Sequence, residues 1–200
     1  DKLFYKNMKN FFKKKIKFIS NQKRDTKKIN KYIKKYKIDL ILSVQHKWII
    51  EESTINLVKK NAFNLHNSKL PDYKGYNTLS HEIINNEKLH HITIHWLNKK
   101  VDTGDIAFTE KIKISNKETS FSLYIKSLKK VRPIISKFLK NFINKKIPKK
   151  KQIKGRGVFY KKKSLNKYKK VKNKLIMRAL DFKIKKIPIS LDYKKVSKII

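Results

Sequence analysis

Cysteine is absent from the 200 residues, which excludes disulfides and thiolate metal sites and is compatible with a reducing compartment. No apolar run reaches the roughly 20 residues of a membrane-spanning helix. The opening residues do not read as a signal peptide. A cytoplasmic, soluble protein with no membrane partner is the expectation. Acidic residues are scarce: 14 against 54 basic ones, a net charge of +40. Arginine is scarce as well, so the excess is almost all lysine. A field of that sign attracts phosphate backbones without regard to sequence. Lysine is however the poorer residue for forked phosphate and base contacts, and Lys, Asn and Ile are abundant along the whole chain, so nucleotide bias is the favoured account of the charge. The few acids concentrate centrally, from Asp39 to Glu118, and none lies between Glu118 and Asp181. With 39% hydrophobic and 11% aromatic residues the chain can bury a core and is not a disordered tail.

Periodicity divides the chain in two. Leu3 to Phe12 reads as a short helix and Ile16 to Ile19 as a strand. Asp25 is placed to cap a helix running to about Tyr36. Asp39 to Val44 is a short continuous apolar run, as expected of a parallel strand buried on both faces. A helix is expected from Ser53 to Lys60, a strand from Ala62 to Leu65, an irregular loop around Pro71 and Gly75, and a helix from Thr78 to Asn85. Strands follow at His91 to Trp96 and Ile106 to Ile114. Phe121, Tyr124, Ile125, Leu128, Ile135, Leu139 and Phe142 form an amphipathic helical stripe, with an interruption expected at Pro133. Strands alternating with helices predict an α/β fold with an open, mostly parallel sheet and flanking helices, which binds ligands beyond the carboxyl ends of its strands. Residues 1–144 are read as one domain and 145–200 as a basic linker and extension, with a short helix near Leu175 to Leu180 docking back. No internal repeat is visible.

The candidate chemistry lies where the acids do. Asn64 and His66, two apart on a strand, point to one side. The loop Ser68-Lys69-Leu70-Pro71-Asp72-Tyr73-Lys74-Gly75 follows at once, and Asp102-Thr103-Gly104 comes after the strand Ile92-Thr93-Ile94-His95. Singly, an Asn-x-His pair is an ordinary polar strand end and Asp-x-Gly an ordinary turn; the conjunction carries the argument. It resembles the signature of the formyltransferases that use 10-formyltetrahydrofolate, specifically from about Asp39 to Ile114 and diffusely afterward. The resemblance implies a Rossmann-like formyltransferase fold. It also implies transfer of a formyl group to a primary amine, with Asn64, His66 and Asp102 as the catalytic trio. A neutral imidazole can take the proton of the attacking amine, a carboxamide can donate to the oxygen that gains charge, and a carboxylate can orient and support the histidine. No metal or covalent intermediate is required. The family's pterin pocket corresponds to Gln45 through Ile50, with Lys47, Trp48, Ile49 and Ile50 as donor-binding residues and Gly104 after the catalytic Asp; Trp48 reads equally as core. His95 is a common family feature and is read as structural. His81, His90, His91 and His95 are not read as a metal cluster, because adjacent strand residues face opposite ways.

Family members usually carry one more strand and helix before the region that starts at Asp1, so the resemblance implies a sheet short of its first strand here. Lys69 and Lys74 stand where the family often has Leu and Arg. The wording of the loop, from Asn64 to Asn77, is nearest to the branch that formylates nucleotide-linked amino-deoxysugars, which makes such a sugar the expected partner. The enzyme acting on initiator methionyl-tRNA is the alternative, although the tail is short for its barrel domain, and the purine branch usually ends earlier. A third alternative is a non-catalytic, RNA-associated module, since Phe159, Tyr160 and Tyr168 lie among lysines in a pattern compatible with base stacking. A homodimer is compatible with all of these.

Overall fold

The computed structural model describes residues 25–46, 48–171 and 173–184. The helix expected at Leu3 to Phe12, the strand expected at Ile16 to Ile19, and Lys47 lie outside the described residues. The first helix, α1 (Thr26–Lys35), is capped as expected: the Asp25 carboxylate accepts from the Lys28 N–H at 2.9 Å. Lys34 and Lys35 in its last turn suit the negative end of the helix dipole. After it come β1 (Ile41–Val44), α2 (Glu52–Leu57), β2 (Ala62–His66), β3 (Tyr73–Gly75), α3 (Thr78–Ile84), β4 (Leu89–Trp96), β5 (Ile106–Lys113), α4 (Ser120–Ile143), β6 (Val158–Tyr160), a 3₁₀ turn (Asn166–Tyr168) and α5 (Lys174–Ile184).

The principal sheet runs in the order β1-β2-β4-β5. β1 and β2 are parallel, with Ser43 opposite Asn64, whereas β2 and β4, and β4 and β5, are antiparallel. The sheet among the described residues is therefore mixed rather than mostly parallel. Alternation fixes which residues share a face but says nothing of strand direction. On one face Phe63, Leu65, Ile92, Ile94, Leu123, Ile134 and Phe138 close the main core beneath α3 and α4, and the Phe63 and Phe138 rings meet edge to face at 4.8 Å, an arrangement worth about 0.5–1.5 kcal/mol beyond area burial. On the other face Ala62 joins Ile33, Ile55 and Val58 from α1 and α2 in a smaller cluster. That second cluster stops at Ala62, so the same face farther along β2 carries polar residues.

The long helix is unbroken. Pro133 lies inside α4, which starts with a capping box between Thr119 and Ser122. Pro133 is exposed, and the buried Leu123, Ile134 and Phe138 anchor both halves of the helix, so the carbonyl that proline leaves without an intrahelical donor is on the wet side. The basic segment folds back: β6 pairs in parallel with β3, with Gly75 opposite Tyr160, and Leu165, Ile176 and Leu180 form a third apolar cluster with Ile84 of α3. No helix among the described residues is long and apolar enough to cross a membrane.

Candidate active site

β2 ends in Asn64-Leu65-His66, and its alternation sends Leu65 into the core while Asn64 and His66 face the opposite side. β4 lies antiparallel to it with His95 opposite Asn64 and Thr93 opposite His66, so His95 joins the pair on that polar face. The loop between β4 and β5 then brings Asp102 back over the strands, its backbone in the left-handed region at φ 54°. His66 Nδ1 lies 3.6 Å from one Asp102 carboxylate oxygen and His95 Nε2 lies 3.4 Å from the other. The trio expected from sequence is thus gathered in one place, with His95 as a fourth member.

Hydrogen-bond directions constrain the ring protons. A carbonyl can only accept, so His66 Nε2 carries the proton and donates it in a hydrogen bond to the Tyr73 carbonyl at 2.7 Å. Nδ1 of neutral His66 is then the basic nitrogen, and it faces Asp102. By the same reasoning His95 Nδ1 donates to the Trp96 carbonyl at 2.9 Å. Its Nε2 is left to receive an N–H from the Asn64 carboxamide at 3.3 Å, and the second Asn64 N–H stays available to a bound carbonyl. Burial pushes the His66 pKa down, and the attraction of Asp102 only partly offsets it. Asp102 behaves in the opposite sense. Burial would raise its carboxyl, but the neighbouring His95 and His66 rings, which attract it whenever they carry a proton, and the Gly75 N–H hold it below its ordinary value. Neutral imidazole beside ionised carboxylate is the resting arrangement.

Two backbone groups of the Ser68–Gly75 loop complete the site. The Tyr73 carbonyl holds His66, and the Gly75 N–H donates to Asp102 Oδ2 at 2.8 Å. Gly75 adopts φ +86°, and a side chain there would meet the Tyr160 carbonyl, so a residue with a β-carbon is excluded twice. Gly104 is required for another reason: a β-carbon there would overlap the Trp96 carbonyl oxygen. The Gln152 side-chain amide ties the Asp102 and Gly104 carbonyls together at 3.1 and 2.7 Å. At the loop's far side Asp72 is braced by Lys69 at 2.7 Å and Arg156 at 2.8 Å.

The expected donor-binding residues fall into two places. Trp48, Ile49 and Ile50 line a cleft of about 430 Å³ with His46, Ser43 and Val44, between α1, β1 and the loop before α2. Because Ser43 is paired with Asn64, this cleft lies one strand away from the polar face. Its volume and apolar walls with a few polar groups suit a fused heterocycle. Gly104 is elsewhere, in a separate depression with Trp96, Asp105 and Lys149. Among the described residues no group of three or more His, Asp or Glu side chains is arranged to hold a metal ion. His95 was singled out in the sequence as a structural residue, and only its pairing with Asn64 across β2 and β4 gives it a place in this site. The contributions of Gly75, Tyr73 and Gln152 were not legible in the sequence, since two are backbone groups and the third comes from far along the chain.

Comparison with known proteins identifies a family. A family model described as formyl transferase matches residues 4–139. The bifunctional polymyxin resistance protein ArnA of Wigglesworthia glossinidia brevipalpis is 41% identical over 120 residues, 56% of this chain and 18% of that protein. GDP-perosamine N-formyltransferase of Brucella melitensis is 36% identical over 86 residues, 43% of this chain and 33% of that protein. The chain thus spans a third or less of the length of these curated relatives. Among solved structures, WlaRD, a sugar 3N-formyl transferase in the presence of dTDP and 5-N-formyl-THF, superposes with a TM-score of 0.65 at 29% identity, covering 75% of this chain and 57% of that one. An N-formyltransferase from Helicobacter canadensis in complex with folinic acid and dTDP-3-aminofucose superposes with a TM-score of 0.64 at 26% identity, covering 72% and 55%.

Proposed function

The chain belongs to the formyl transferase family, and from that premise we propose that it transfers a formyl group from 10-formyltetrahydrofolate to the amino group of a nucleotide-linked amino-deoxysugar. The observation that carries the reading is the convergence of Asn64, His66 and Asp102, with His95, at the carboxyl end of β2. The donor supplies an activated carbonyl carbon, and the cleft at Trp48, Ile49 and Ile50 is the place on this chain that would hold its ring system. Asn64 donates its second N–H to the oxygen that gains negative charge, an effect worth about 3 kcal/mol in comparable sites. His66 takes the proton of the attacking amine at Nδ1 and gives it to the donor nitrogen as the bond between that nitrogen and the formyl carbon breaks, which releases tetrahydrofolate. The charge so formed faces Asp102, which is already ionised and held by the Gly75 N–H. No step needs a nucleophile from the protein.

The sugar branch is favoured over the initiator-tRNA branch and over a non-catalytic RNA module because the relatives above a quarter identity that act on a named acceptor class carry sugar names. The test is calorimetric titration of the purified chain with a stable 10-formyltetrahydrofolate analogue, followed by a formyl-transfer assay on dTDP- and GDP-linked amino sugars. Saturable binding and turnover that disappears in Asn64→Ala and His66→Ala support the proposal. A folded chain that binds no folate analogue refutes it.

A further inference from the structure

Immediately below the loop that serves the site lies a polar cluster that the chemistry above does not use. Glu82 on α3, His90 on β4 and Ser68 at the start of the loop are all at 0% exposure. Glu82 Oε2 is 2.6 Å from His90 Nδ1, and Glu82 Oε1 accepts the Ser68 hydroxyl proton. The other nitrogen of His90 lies 3.0 Å from the Asn67 side-chain oxygen, and the Asn67 amide donates to Ser127 of α4 at 3.1 Å. A carboxylate and an imidazole removed from water are costly unless they are mutually paired and hydrogen-bonded. An apolar pair of similar volume would stabilise the core as well or better, so stability alone does not account for this cluster in the middle of a hydrophobic layer.

Its position suggests what does. Asn67 and Ser68 are the first two residues after His66, and the cluster grips both side chains. From there the loop must return so that the Tyr73 carbonyl reaches His66 and the Gly75 N–H reaches Asp102. We propose that the buried Glu82–His90 pair is a positioning device that fixes the root of the Asn67–Gly75 loop, and through it sets the contacts the loop makes with His66 and Asp102. Neither residue touches a reacting atom. Both act on the two catalytic groups through the backbone between them. The part of this inference that concerns turnover rests on the formyl-transfer reading; the part that concerns the loop does not.

The experiment reads the His66 ring itself by NMR titration of the histidine-labelled 200-residue chain, with the resonance assigned by its loss in His66→Gln. Ser68→Ala and His90→Gln each remove one leg of the cluster. Both keep the Glu82 carboxylate, whose charge also acts on His66 together with those of Asp102 and His95, so a change is not a direct loss of charge. A loosened Tyr73 carbonyl no longer favours protonated His66. The His66 midpoint is then expected to fall by about half a pH unit or more in both variants, with kcat down at least about fivefold and KM for the donor little changed. Either variant folding cooperatively with the wild-type midpoint overturns the proposal. So does failure of both to fold, which would make the cluster a plain determinant of the core. A wild-type chain that transfers no formyl group ends the functional reading, but leaves the titration to decide this one.

Discussion

Asp102 is the residue on which the site turns, because it faces both histidines and takes a backbone N–H as well. Asp102→Asn keeps the shape and an acceptor for the Gly75 N–H but removes the charge that supports protonated His66. We expect kcat to fall by about 10²–10⁴ with little change in donor KM, and a variant within threefold of wild type in steady-state assays would show that the carboxylate is not coupled to the proton transfer. The pH profile follows from the same geometry. Burial holds the His66 pKa below its ordinary 6.5, and the proposed chemistry uses the neutral form, so activity should persist as pH drops through 6.5 and fail only below it. The linkage to folding has the same sign. A depressed folded-state pKa gives stability that is present above the unfolded value and lost as pH falls toward the folded one. An acid limb of kcat/KM centred above 6.5 would contradict the placement of His66. Much of this site was legible beforehand: two residues of spacing put Asn64 and His66 on one face, and the Asp-x-Gly turn marked the carboxylate. The Tyr73 carbonyl and Gly75 N–H were not legible, because a backbone group carries no residue identity.

At the scale of elements, α4 shows how packing overrides a local signal. Pro133 predicts a break, and the helix runs through it because Ile134 and Phe138 on one side and Leu123 on the other are seated in a single core. The proline nevertheless removes a backbone donor and crowds the preceding turn. Pro133→Ala on this exposed face should raise stability by about 1–3 kcal/mol in urea unfolding, with an unchanged slope; no gain would mean that the helix is already bent around the proline. Gly104→Ala should act in the reverse direction. The added methyl meets the Trp96 carbonyl, which is backbone and cannot step aside, so both the melting temperature and the placement of the neighbouring Asp102 should suffer. Direction of strands is the feature that the pattern hid most completely. β4 shows the alternation of any half-polar strand, and only its register against β2 reveals that His95 comes level with Asn64. The β3–β6 pairing was hidden for a related reason: its strands are three residues each and more than eighty residues apart in the chain, so local periodicity carries no trace of their partnership.

For the whole molecule the governing quantity is charge. A net +40 on 200 residues opposes compaction, because like charges are nearer each other in the folded chain than in the unfolded one. The carboxylates do not relieve this evenly. Those of Asp102 and Glu82 are spent on histidines inside the protein, and the surface pairs, such as Lys126 with Glu118 at 3.0 Å and Lys130 with Glu110 at 3.3 Å, are partly exposed and individually worth little. Added salt therefore has more repulsion than attraction to screen. Raising ionic strength from about 0.01 M to about 0.15 M shortens the Debye length from about 30 Å to about 8 Å, and the melting temperature should rise over that range. Association with an anionic folate or nucleotide should slow over the same range, because the positive field that hinders folding also steers the ligands inward. The pairing of the two trends is the discriminating result. A melting temperature that falls with salt would mean that surface ion pairs outweigh the lysine excess, whereas stabilisation without slower binding would place the excess charge away from the approach to the site.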